Sequence, residues 1–168
     1  ALAQVLPALC AQRDTRLRQL AEYLYGTLSP AQPVRPPFFC MIPWIHLNVW
    51  TDGRVFPCCM ADHSLPLGSI RQATLAELWN SAALRRMRRN MLENRASPEC
   101  VKCYELQRAD LPTLRTRINR SFGRHYSDTH ATGADGAVAE MRMRYLDVRF
   151  SNICNFRWRT CSDDLSSA

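Results

Sequence analysis

The stretch Ile45-His-Leu-Asn-Val-Trp-Thr-Asp-Gly-Arg-Val-Phe-Pro-Cys-Cys59 decides the fold of this 168-residue chain. Residues 45–50 alternate between apolar and polar side chains, which is typical of a strand with one buried face. Thr51-Asp52-Gly53 supplies a turn, and Val55 and Phe56 begin a returning strand. The sequence therefore predicts a β-hairpin over residues 45–56 that ends at two adjacent cysteines.

The chain has eight cysteines, and most of them lie in local groups. Its mildly apolar N-terminus lacks a basic leader region, so we do not interpret it as a signal peptide. Without an export signal, grouped cysteines favour metal or redox chemistry in a reducing, cytoplasmic compartment, with disulfides as the alternative. The groups are Cys58-Cys59, Cys100-x2-Cys103 and Cys154-x6-Cys161, with Cys10 and Cys40 apart.

Helical periodicity is found on both sides of the hairpin. It predicts a helix over residues 13–28 and another over residues 111–125, the second with Leu111 on its buried side. Thr74-Leu-Ala-Glu77 is a capping box that begins a short helix. The apolar register then slips, so we predict a break at Asn80-Ser81, where Ser81 caps a helix that runs to about Asn94. Four arginines of that helix are expected off its apolar stripe, namely Arg85, Arg86, Arg88 and Arg89.

Proline-rich and polar stretches divide the chain into three predicted parts. Residues 1–37 form a helical leader that ends in a linker with four prolines. Residues 38–127 form a module of a hairpin and short helices. Residues 128–168 begin with a polar loop, and residues 141–150 alternate as a strand does before a cysteine loop. The predicted fold class is α+β.

Four thiols from three separate segments could surround one metal centre. They are Cys40, either Cys58 or Cys59, Cys100 and Cys103. Thiolate ligands suit an iron–sulfur cluster or structural zinc. With four cysteines and no obvious histidine ligand, a closed tetrahedral zinc site remains open as the alternative. We place the ring of His46 on the outer face of the hairpin and keep His63 as a substitute ligand.

Several stretches resemble, in order and spacing, the SPASM/twitch auxiliary-cluster domain of radical S-adenosylmethionine enzymes. They are Phe39-Cys40, Pro43-Trp44, Leu47, Asp52-Gly53-x-Val55-x-Pro57-Cys58-Cys59, Gly68-Ser69-Ile70, Leu78-Trp79-Asn80-Ser81 and Cys100-x2-Cys103. The resemblance implies an iron–sulfur cluster here, [4Fe–4S] or smaller. It favours Cys58 over Cys59 as the ligand and implies that Trp44 and Trp79 are core residues that cover the cluster.

A second resemblance covers Tyr145-Leu-Asp-Val-Arg-Phe-Ser-Asn-Ile-Cys-Asn-Phe156. It looks like the first barrel strand and cluster loop of a radical S-adenosylmethionine domain. The resemblance implies three cysteines that hold a cluster, with one iron open to S-adenosylmethionine and an unknown peptide or small-molecule substrate. Here Cys154 and Cys161 have the outer spacing, but Trp158 replaces the middle cysteine and Thr160 is smaller than the usual residue.

Trp158 decides what we expect of this second loop, because an indole offers iron no thiolate. We therefore predict an N-terminal piece of a radical S-adenosylmethionine protein with a truncated (β/α) barrel. It binds an iron–sulfur cluster and carries out no radical chemistry as written, and whether it is an enzyme stays open.

The formal charge of +7 permits an alternative function. A zinc-stabilised module could use its arginine-rich helices to contact nucleic acid or an acidic protein. We favour a solvated basic face, because the arginines are spread over several predicted helices. No long uncharged apolar run is present, so we predict no membrane span.

Overall fold

The computed structural model describes residues 36–147. The predicted helix over residues 13–28 lies outside this range. So do Cys10 and the second cysteine loop, with Cys154, Trp158 and Cys161.

The predicted hairpin is confirmed, with strands shorter than the alternation suggested. Strand β1 covers Asn48–Val49 and strand β2 covers Arg54–Phe56. They are antiparallel, with Asn48 opposite Phe56. The turn between them uses Gly53 at φ 91°, a conformation that glycine adopts readily. A third antiparallel strand, β3 (Gly68–Ser69), pairs with β2 and was not predicted.

Up to residue 147, four α-helices follow the sheet, and the predicted break between the first two is confirmed. Helix α1 (Leu75–Trp79) begins with the Thr74–Glu77 capping box. Helix α2 covers Ala82–Leu92, and the Ser81 hydroxyl caps it by accepting from the Leu84 N–H. A short 3₁₀ turn, Pro98–Cys100, leads into helix α3 (Val101–Arg108), which was not predicted.

Helix α4 (Leu114–Phe122) is shorter than the helix predicted over residues 111–125. Leu111 precedes Pro112, and a residue before proline is disfavoured in a helix. The Thr113 hydroxyl instead caps the helix by accepting from the Thr116 N–H. Leu111 is 50% exposed, so its predicted burial was wrong.

The segment after α4 differs from the sequence-based prediction in two respects. A 3₁₀ helix covers Gly123–Ala131, so part of the predicted polar loop is helical. Residues 141–147, the described part of the predicted strand over 141–150, contain no strand. The Arg144 and Tyr145 N–H groups both donate to the Ile45 carbonyl, so this segment crosses the hairpin without a regular ladder.

One main hydrophobic core joins the hairpin, the helices and the segment around Val138. Trp44 and Trp79 are buried in this core, as predicted, but neither lines the cysteine cavity described below. Together the helices and the three-stranded sheet form an α+β fold. Between residues 36 and 147, no helix has the length and hydropathy that a membrane span requires.

Arg88 corrects one prediction, because it is fully buried rather than displayed on an outer face of α2. Its Nε donates to the Pro43 carbonyl at 2.9 Å, and its guanidinium lies 4.9 Å from the centre of the Trp79 ring. Burial lowers the pKa of Arg88 to about 10, so the side chain stays cationic at neutral pH. The charge is tolerated because carbonyl oxygens and an aromatic face replace water around it.

Candidate metal centre

Four of the five cysteines between residues 36 and 147 line one cavity. They are Cys40, Cys58, Cys100 and Cys103. The cavity is partly open to solvent. Most of its other lining residues are apolar, including Ile42, Met87, Met91 and Leu114. The fold thus brings together four cysteines from three separate segments, which the sequence analysis considered as ligands of one metal centre.

Local structure explains how each thiol reaches the cavity. Cys40 lies two residues before the 3₁₀ turn Ile42–Trp44, and Cys58 follows β2 after Pro57. Cys100 is the N-cap residue of α3, and Cys103 lies in the first turn of that helix. The amino end of a helix carries a partial positive charge, which favours thiolate or a negatively charged group at this position.

Cys58 and Cys59 are adjacent and similarly exposed, yet they occupy different surroundings. Cys58 lines the cavity, and Cys59 is absent from its lining. Both thiols lie near Tyr145, so it is the cavity lining that distinguishes them. The geometry therefore favours Cys58 as the ligand of this pair.

Burial raises the pKa values of the Cys40, Cys58 and Cys100 thiols well above the usual range. Each thiolate would also repel its neighbours, which raises these pKa values further. Without a bound cation the thiols are therefore neutral at pH 7. Binding of a metal or cluster would displace their protons, which couples occupancy of the site to pH.

Three polar residues beside the thiols were not identified from the sequence. Glu99 lines the cavity at 1% exposure, and Arg86 donates to its carboxylate at 2.6 Å. Arg115 also lines the cavity, and it donates to the Phe39 carbonyl at 3.0 Å. Tyr104 is buried directly after Cys103, and its hydroxyl accepts from the Ser97 N–H at 3.3 Å. Glu99 and Tyr104 flank the C-x2-C motif, and these positions were the only sequence signal for any of the three residues.

The thiols surround a space rather than a single point. In the described part of the chain, no three Cys, His, Asp or Glu side chains converge closely enough to hold one metal ion. His63 does not line the cavity, and its ring lies against those of Trp50 and Phe56. The structure gives His63 no place among the thiols.

His46 corrects another prediction, because its ring is fully buried rather than on an outer face of the hairpin. The segment around Tyr145 covers that face. The His46 Nδ1–H donates to the Tyr145 carbonyl at 2.9 Å, and the ring centres of the two residues lie 4.7 Å apart. Asn48, on the same face, donates to the Asp147 carboxylate at 3.2 Å. The hairpin therefore has two buried faces.

This burial predicts a pH dependence of stability. Desolvation lowers the pKa of His46 in spite of the Tyr145 hydrogen bond and the Asp147 charge. Below pH 6.5, His46 takes up a proton more readily in the unfolded chain than in the folded chain. The free energy of unfolding is therefore at its full value above pH 6.5 and decreases as the pH falls below it. Urea unfolding between pH 5 and 8 measures the slope of the free energy of unfolding against pH.

The control variants for this prediction separate His46 from the other histidines. His46→Asn keeps a donor near the Nδ1 position and removes the titrating group, so it should flatten the slope. The pKa of His125 is also lowered, mainly by burial, so a smaller slope remains. His130→Gln, at an exposed position, should leave the slope unchanged. An unaltered slope in His46→Asn would contradict the assignment.

The described residues thus form a cysteine-rich α+β module, with four thiols from three segments around one cavity. Residues 40–104 match the family model SPASM, an iron–sulfur cluster-binding domain. The matched range contains all four cavity cysteines, so the SPASM part of the predicted resemblance is confirmed over these residues. No curated protein and no solved structure matches the chain.

Proposed function

We propose that residues 40–104 bind one iron–sulfur cluster through the thiolates of Cys40, Cys58, Cys100 and Cys103. The observation that carries this proposal is the arrangement of four thiols around one apolar cavity, inside the range that matches the SPASM domain. Four cysteine thiolates are the usual ligand set of [2Fe–2S] and [4Fe–4S] clusters. The donor set therefore fits the group that the domain implies.

The family match supports a cluster over a single zinc ion. The four described thiols line one cavity and lie inside the range that matches an iron–sulfur cluster-binding domain. Four thiolates also suit a structural zinc site, so the metal content of the protein decides between the two.

When bound, the cluster supplies one-electron chemistry. The residues of this chain hold it and control its surroundings. Met87, Met91 and Leu114 form part of an apolar wall that limits water around the thiolates. Arg115 places a positive charge beside Cys40, where it offsets some of the negative charge of the ligands. The module is thus built to hold and relay an electron.

We further place this module in a radical S-adenosylmethionine protein. The support is the sequence around Cys154 and Cys161, which resembles the cluster loop of that family. Because Trp158 replaces a ligand, the proposed role of this chain is cluster binding and electron relay, without radical chemistry of its own. A cytoplasmic location and a peptide or small-molecule substrate belong to the same proposal.

The deciding experiment measures iron, sulfide and zinc per chain, with an absorption spectrum, on protein purified without oxygen. We expect about four irons with matching sulfide, the content of one [4Fe–4S] cluster. About two irons with matching sulfide would keep the site and change the cluster type to [2Fe–2S]. One zinc without iron would contradict the proposal and favour the zinc-stabilised binding module.

A further inference from the structure

Among the described residues, two charged side chains line the cysteine cavity, and their hydrogen-bond partners differ in charge. They are Glu99 and Arg115. The Glu99 carboxylate forms an ion pair with Arg86, at 2.6 Å between nitrogen and oxygen, which offsets its negative charge. The acceptors that Arg115 bonds are neutral, namely the Gln107 amide oxygen and two backbone carbonyls. These contacts leave a positive charge at the cavity wall.

The guanidinium of Arg115 is held in place by contacts on several sides. Its Nε donates to the Gln107 amide oxygen at 2.6 Å, and its Nη1 donates to the Phe39 carbonyl at 3.0 Å. The guanidinium also lies 5.3 Å from the centre of the Tyr104 ring. Phe39 directly precedes Cys40, so the bond to its carbonyl ties the cation to a segment that carries one of the thiols. The positive charge therefore keeps a fixed position beside the cavity.

We propose that the fixed positive charge of Arg115 raises the reduction potential of the bound cluster. The inference rests on the proposed cluster at Cys40, Cys58, Cys100 and Cys103. In reduction, one electron passes from an external one-electron donor to the cluster, no bond forms or breaks, and the site gains one negative charge. An arginine side chain stays protonated in both states. Because its attraction for the cluster grows with the negative charge of the cluster, it stabilises the reduced state more than the oxidised state.

The apolar wall of the cavity makes the charge of Arg115 more effective than that of a surface arginine. Met87, Met91 and Leu114 form part of this wall, and charges in such surroundings are screened less than charges in water. Arg120 lies on the same helix, α4, but it is exposed and does not line the cavity. Water and salt screen an exposed charge of this kind. The two arginines therefore allow the same change of charge to be compared at two places on one helix.

The experiment is a redox titration of the anaerobically reconstituted 168-residue chain, with iron and sulfide measured for every variant. Arg115→Met removes the charge and should show a more negative reduction potential than the parent at the same iron and sulfide content. Arg115→Lys keeps a positive charge, so its potential should stay closer to that of the parent. Arg120→Met is the matched control, and its potential should equal that of the parent.

The outcomes separate this inference from the proposed function. A parent protein without iron would refute the cluster itself, and with it any role of Arg115 toward it. A loaded Arg115→Met variant with the potential of the parent would overturn the inference and leave the cluster in place. An equal shift in Arg115→Met and Arg115→Lys would also overturn it, because the lost hydrogen bonds and not the charge would then be the cause.

A second neutral variant covers the case in which Arg115→Met does not retain its cluster. Arg115→Gln keeps an amide donor at this position and removes the charge, so the same negative shift of the reduction potential is expected. Cluster loss in both neutral variants would assign Arg115 a structural role alone and overturn the inference.

Discussion

Cys58→Ala is expected to abolish cluster binding, whereas Cys59→Ala, one residue further along the chain, should leave the cluster in place. Cys58 lines the shared cavity and Cys59 does not. Loss of one of four thiolates leaves an iron without its protein ligand, so iron per chain should fall to near zero after anaerobic reconstitution. Iron and sulfide analysis with the absorption spectrum measures the difference.

The same pair of variants should differ in stability. Because metal binding and folding are coupled in small metal domains, Cys58→Ala should also be easier to unfold than the parent. Cys59 packs against the main core without lining the cavity, so Cys59→Ala should lower the free energy of unfolding by about 1 kcal/mol and leave the cluster bound. Cluster loss in Cys59→Ala with retention in Cys58→Ala would reverse the assignment. Retention in both variants would refute the four-thiol site.

Gly136→Ala is expected to be the most destabilising glycine substitution in the described part of the chain. Gly136 has φ 86°, which strains any residue with a side chain. A Cβ at this position would lie 2.1 Å from the Arg85 carbonyl oxygen, inside α2. Neither the helix backbone nor the glycine can move away cheaply. We expect a loss on the order of 3 kcal/mol in the free energy of unfolding.

Gly133→Ala is the matched control for this prediction. The nearest neighbour of a Cβ at Gly133 is the Asp135 carboxylate, at 3.0 Å, and a shift of a few tenths of an ångström in that exposed side chain relieves the contact. Urea unfolding of the cluster-loaded protein should therefore show a small change for Gly133→Ala beside the large one for Gly136→Ala. Equal stability of the two variants would contradict the packing of residues 133–138 on α2.

Local patterns in the sequence predicted the elements that depend on neighbouring residues. The alternation over residues 45–50 and the turn at Asp52-Gly53 were enough for the hairpin, because strand pairing across a tight turn is a local interaction. The capping residues Thr74 and Ser81 were enough for the two short helices, because a cap bonds backbone groups within its own first turn. The family resemblance pointed to Cys40, Cys58 or Cys59, Cys100 and Cys103 as one ligand set, and the structure places Cys40, Cys58, Cys100 and Cys103 around one cavity.

The predictions that were wrong concern side chains whose surroundings come from distant segments of the chain. His46 was placed outside because alternation alone implies one solvent face, and only the packing of the Tyr145 segment covers it. Arg88 was assigned to an outer face because a charged side chain is rarely buried, and only the Pro43 and Gly136 carbonyls make that burial possible. Neither contact has any signature in the sequence near these residues.

The choice between Cys58 and Cys59 also depended on contacts between distant segments rather than on local sequence. Both thiols stand at the end of the same strand, and residue type does not distinguish them. Two successive residues at the end of a strand point to different sides of the chain. Which of the two thiols faces the cavity therefore depends on how the hairpin packs against α2 and α3. The sequence by itself determined that thiols gather here. Tertiary packing decided which of them face the cavity, and that Tyr104, Glu99 and Arg115 surround them.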